Sequence, residues 1–153
     1  MSDDVSYRIA YEEAVRALRA QADTFAGIRQ RASTVLATTM VVTAFFGGQA
    51  VARGTSPGRT GWLAVVAFVA AGLLSVFVLF PSDPRFDTDT DAVVALVEDA
   101  PPGSDPLHEL ALMLSSRHRG NRGRISRLEW TFRGAATALL VEVLLWIAFL
   151  AEA

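Results

Sequence analysis

Apolar residues near the start of the chain recur every third or fourth position, at Tyr11, Val15, Leu18, Ala22 and Phe25, until Arg29 breaks the stripe. With polar residues between them, that spacing predicts an amphipathic helix over residues 1–31. The pattern then changes from a stripe to a block. Residues 32–52 carry no charge over 21 positions, and residues 62–80 carry none over 19. A bilayer crossing needs about 20 apolar residues, so the two runs are predicted to cross a membrane as a hairpin within residues 32–80. A third block, residues 134–151, holds a single carboxylate, Glu142. It predicts a third transmembrane helix within residues 134–153. Nothing punctuates the chain before Gly47, which predicts one helix of about 40 residues passing from polar into apolar sequence.

Between the second and third blocks, residues 81–133 are polar and punctuated. Pro81 and Pro84 stop the preceding helix. "TDTDAVVALVEDA" fits a short amphipathic helix capped by Asp89 or Asp91. "PPGSDPLHEL" ends that helix and starts another, with Ser104 or Asp105 as cap, Pro106 at the first helical position and Glu109 in the first turn. Leu107, Leu110, Ala111 and Leu114 form an apolar stripe suited to pack on the N-terminal helix. Gly120 and Gly123 weaken the run, so a kink is expected there before the helix resumes at Ile125 and enters the third span.

The predicted fold class is therefore all-α integral membrane, with three transmembrane helices, two of them continuing as long cytoplasmic helices that form a bundle. Composition agrees, since 52% of the residues are apolar and mean hydropathy is positive. The first span follows some thirty polar, periodic residues, so it is expected to remain as an anchor rather than act as a cleaved signal. There is no cysteine, hence no disulfide framework or thiolate chemistry.

Arginine supplies every basic residue, and its placement orients the spans. Arg8, Arg16, Arg19, Arg29 and Arg31 precede the first span, and Arg85, Arg117, Arg119, Arg122, Arg124, Arg127 and Arg133 separate the second from the third. Only Arg53 and Arg59 lie in the short loop. The positive-inside rule then puts the N-terminus and the central segment in the cytoplasm and the C-terminus outside, in a multi-pass protein of the inner (plasma) membrane.

An ionised residue at the centre of a membrane helix costs about 2.5–3.5 kcal/mol on insertion scales, so Glu142 needs a reason. It lies nine residues beyond Arg133, about 13 Å along the axis and near mid-membrane. On the first span, which runs the same way, Thr39 and Thr43 reach about that depth on one helix face. The second span offers Ala67, Ala71 and Ser75 as a small-residue stripe that permits close approach. Two arrangements follow. Glu142 is protonated and hydrogen-bonded to a threonine or a backbone group, locking helix packing, or a ring of Glu142 from several subunits lines a cation path or its closed gate.

Arg117, Arg119, Arg122, Arg124 and Arg127 form a basic patch beside the third span. It suits anionic lipid or the phosphates of a nucleotide ligand, although no interleaved aromatics are present to stack bases. Asp87, Asp89, Asp91 and Glu98 match four positions of a calcium loop, but Ala92 replaces the turn-forming glycine and the prolines remove the incoming helix. Capping and solvated acids account for them. His108 and His118 lack a partner at metal-ligand spacing. With no phosphate loop or nucleophile elbow, neither enzymatic activity nor a cofactor is expected.

"YEEAVRALRAQADTFAGIRQRASTVLATTMVVTAFFGG" resembles the opening of small actinobacterial membrane proteins in which a long helix runs through an R-x-R-A stretch into the first span. "GNRGRISRLEWTFRGAATALLVEVLLW" is similar to their final helix, which descends through a basic stretch into a span containing glutamate. These look related to the SLATT and Pycsar-type transmembrane effector domains of nucleotide-linked antiphage systems. The resemblance covers most of the chain. It implies a homo-oligomeric effector that is held inactive until a nucleotide signal or partner triggers it to perturb the inner membrane. Some such effectors carry a cyclic-nucleotide-binding domain, for which this sequence leaves no segment. Sensing is then expected to fall to a partner, or to a nucleotidyltransferase or cyclase product at the arginine patch. A membrane anchor whose cytoplasmic helices recruit a soluble partner is the alternative expectation.

Overall fold

In the computed structural model, residues 2–54, 56–80 and 106–152 are described, and among them the regular structure is entirely helical. Helix α1 spans Ser2–Ala52, α2 spans Arg59–Leu79 and α3 spans Pro106–Glu152. All three are long and apolar enough to cross a membrane. The short helix expected after Asp89, its caps, the calcium-loop match and the caps Ser104 and Asp105 lie outside the described residues.

Two helices are longer than the sequence suggests. Helix α1 runs for 51 residues and α3 for 47, the latter without a break at Gly120 or Gly123. An interior glycine costs about 1 kcal/mol relative to alanine, an amount offset by the helix-favouring arginines around the two glycines and by the length of the helix. Prolines are confined to the ends, with Pro106 opening α3 and Pro81 following α2 in the sequence. Helix α1 closes with the Gly54 amide donating to the Val51 carbonyl at 3.0 Å, and φ of 64° at Gly54 is the left-handed conformation that glycine adopts without strain. The Phe80 amide closes α2 by donating to Val76 O at 2.8 Å.

The chain divides into two compact units. One combines Met1–Ala26 with Ser82–Ser126. Here the start of α1 and the start of α3 run in the same direction, with the Tyr7 and His108 rings 4.9 Å apart and Gln21 Nε2 donating to the His118 carbonyl at 3.0 Å. Leu18, Phe25, Leu110 and Leu114 are buried between them, while Arg8–Glu12 and Arg16–Glu13 pair at the exposed surface. The apolar stripes read from the sequence therefore face inward. Surface pairs of this kind contribute about 0.3–0.5 kcal/mol each.

The other unit combines Gly27–Pro81 with Arg127–Ala153. Its segments of α1 and α3 are again parallel, with Thr43 opposite Glu142 and Phe46 stacked on Trp146 at 6.4 Å. Helix α2 runs the other way. Leu74 lies against Gly134, Gly61 against Phe149, and Thr60 donates to Glu152 at 2.9 Å. Small residues make this possible: a Cβ on Gly61 would meet the Phe149 ring at 3.4 Å and Pro57 at 3.2 Å. On α2 the buried positions are Gly61, Ala64, Ala67, Ala71, Ser75 and Val78, whereas Leu63, Val66, Leu73 and Phe77 face outward. Trp62 and Trp130 are also exposed.

Candidate functional site

Glu142 lies wholly within the second unit, with no accessible surface. Its position follows from two helices of the same direction: α3 carries the carboxyl, and α1 presents Thr43 opposite it. Thr43 Oγ1 donates to Glu142 Oε1 at 2.5 Å. One helical turn further along α3, the Trp146 indole N–H turns toward the same carboxyl without closing a hydrogen bond. Glu142 Oε2 and Trp146 Nε1 are both buried and without a partner among the described residues. The acid is thus held by a hydroxyl of its own chain, on α1.

Thr39, one turn before Thr43, is fully buried, but its hydroxyl does not reach Glu142 and has no partner among the described residues. Ser75 on α2 behaves in the same way. The sequence offered Ser75 only as a small residue permitting close packing; its hydroxyl points inward as well.

Beyond Glu142 toward the end of α3, the interior becomes apolar. Trp146 and Phe149, their rings 5.8 Å apart in an edge contact, pack with Ala50 and Ala64 and are flanked by Phe46 and Val42. At the opposite end of the unit, the Arg29 guanidinium donates to the last carbonyl of α2, Leu79 O, at 2.7 Å. The sequence marked Arg29 as the end of a stripe and as one of the arginines that orient the first span. A cation at a helix C-terminus satisfies one of its open carbonyls, a partnership that spacing alone does not reveal.

The basic patch lies on α3. Arg119, Arg122, Arg124 and Arg127 are exposed and Arg117 is half-buried. At 3.6 residues per turn, Arg117 and Arg124 fall on one side of the helix and Arg119 and Arg122 on the opposite side, while Arg127 belongs to the second unit. The four arginines of the first unit therefore do not converge on a single phosphate-sized point. His108 meets the Tyr7 ring, and no cluster of metal-binding side chains occurs among the described residues.

No family model, curated protein or solved structure matches the chain. Its class stands on its own architecture: an all-helical protein with three helices able to span a membrane, consistent with a multi-pass membrane protein.

Proposed function

We propose that the chain is a homo-oligomeric effector of the bacterial inner membrane, kept closed by the contact between Thr43 and Glu142 and opened to permeabilise the membrane in antiphage defence. The observation that carries this reading is the enclosed carboxyl with one oxygen bonded and the other unpartnered. Helix packing alone is met more cheaply by an apolar side chain, and intramembrane acids mark ion or proton routes by default. Opening would turn Glu142 away from Thr43 toward a path lined by several subunits, as acidic rings are used in channels. The arginine distribution supports a cytoplasmic N-terminus, an external C-terminus and a cytoplasmic helical bundle. The likeness to SLATT and Pycsar-type effectors supports the defence role. Its trigger would be a nucleotide or oligonucleotide made by a nucleotidyltransferase or cyclase, met through separate phosphate contacts on the two arginine-bearing sides of α3, Arg117 with Arg124 or Arg119 with Arg122, with anionic lipids as competing partners there.

Conductance of the purified protein in planar bilayers is the test. Ion flux that Glu142→Gln changes supports the effector; flux that is absent, or indifferent to Glu142→Gln, sinks it.

The second reading, a membrane anchor whose cytoplasmic helices recruit a soluble partner, is favoured by the enclosure of Glu142 within its own chain. In that case Glu142→Gln lowers stability in detergent, and no current is carried.

A further inference from the structure

On the membrane reading, the arginines between α1 and α2 lack an explanation. The positive-inside rule disfavours cations on the external side, yet Arg53 and Arg59 both fall there. Arg59 is exposed, and its guanidinium makes no ion pair or hydrogen bond among the described residues. Glu152, the acid at that end of the second unit, accepts from Thr60 instead. Arg59 lines a groove of about 560 Å³ together with Pro57, Gly58, Trp62, Leu63 and Val66. The helix period sets this out. Gly61, which meets Phe149, is about 200° round α2 from Arg59, so Arg59 faces away from α3. Leu63, Val66, Leu73 and Phe77 are exposed and all fall within about 40° of the Arg59 direction. One cation thus heads a straight apolar track about 27 Å long.

Depth sorts the two ends of this track. An exposed indole such as Trp62 favours the membrane–water interface, and Arg59 stands three residues, about 4.5 Å, further out, at the level of lipid phosphates. One leaflet of hydrocarbon is about 15 Å deep, so a lipid tail running inward from there passes Leu63 and Val66. A guanidinium fork matches two oxygens of a phosphodiester. A zwitterionic head carries its own cation beside the phosphate, which offsets the attraction, whereas a net negative head does not. We propose that this groove binds one anionic phospholipid, its phosphate on Arg59 and a tail along Leu63 and Val66. The proposal rests on the membrane part of the reading above and not on conduction.

The test uses the intact protein in nanodiscs of phosphatidylcholine, with Trp130→Phe so that Trp62 is the exposed indole. It compares quenching of tryptophan fluorescence by brominated phosphatidylglycerol and by brominated phosphatidylcholine with the same tails. The anionic lipid is expected to quench at about one-fifth of the mole fraction that the zwitterionic lipid needs. Arg59→Gln abolishes that preference and Arg59→Lys retains part of it. Arg53→Gln leaves it intact, whereas diffuse attraction to a charged surface would respond to both arginines alike. Equal quenching by the two lipids overturns the site and leaves the membrane reading standing; no quenching by either overturns both. A preference that survives Arg59→Gln, or that Arg53→Gln removes as fully, also overturns the site. So does one that millimolar inorganic phosphate abolishes, which would mark a free-anion site instead.

Discussion

The two units use the same two helices in opposite ways. In the first, Leu18, Phe25, Leu110 and Leu114 are buried and charged residues such as Arg8, Glu12 and Arg16 face outward. In the second, the inward positions of α2 are small or hydroxylic apart from Val78, and the outward ones include Leu63, Val66, Leu73 and Phe77. Removing apolar surface from water accounts for the first pattern. It gives no account of the second, where large apolar side chains remain outside. Close approach of small residues, with a few enclosed polar contacts, is how helices associate when the surroundings are themselves apolar. On the membrane reading, the side chains report two solvents.

That contrast can be broken where it is strongest. Leu114→Ala, in the unit with a conventional core, is expected to cost about 2–5 kcal/mol, read as a lowered midpoint in denaturant. Next comes a matched pair of outward positions. On the membrane reading, Val66→Asp on α2 is expected to cost about 2.5–3.5 kcal/mol in a membrane-insertion assay, because an acid there would face hydrocarbon. Leu112→Asp, also outward but in the first unit, is expected to stay within about 0.5 kcal/mol of the original stability. Equal costs at the two sites would erase the distinction between the solvents. An effect between those of the matched pair belongs to the interior: Thr43→Val removes one hydrogen bond and is expected to lower detergent stability by about 0.6–1.7 kcal/mol.

Much of the fold was legible because bilayer-length runs without charge have few other readings. The three apolar blocks correspond to parts of α1, α2 and α3. Helix lengths were underestimated because single glycines look like breaks in a local reading, whereas propagation over 40 or more residues outweighs them. At the site, equal depth on parallel helices was enough to pair Thr43 with Glu142. It could not separate Thr39 from Thr43, because the two share one helix face and a depth counted from flanking arginines is not precise to one turn, about 6 Å. Missing knowledge of how each helix is rotated about its axis hid the inward position of Ser75 and the reach of Arg29 to Leu79 O. Trp146 was readable in principle, since it follows Glu142 by four residues on the same face.

The exposed indoles of Trp62 and Trp130 have a consequence for where such a protein can reside. Trp62 adjoins Gly61, which meets Phe149, so it stands level with about residue 148 of α3, about 27 Å along the axis from Trp130. Indoles settle at the boundary between headgroups and hydrocarbon, whose two faces are about 30 Å apart in an ordinary bilayer. On the membrane reading, the pair defines a hydrophobic thickness at the thin end of the normal range. Lipids with longer tails would then load the protein by a fraction of a kcal/mol for each ångström of mismatch.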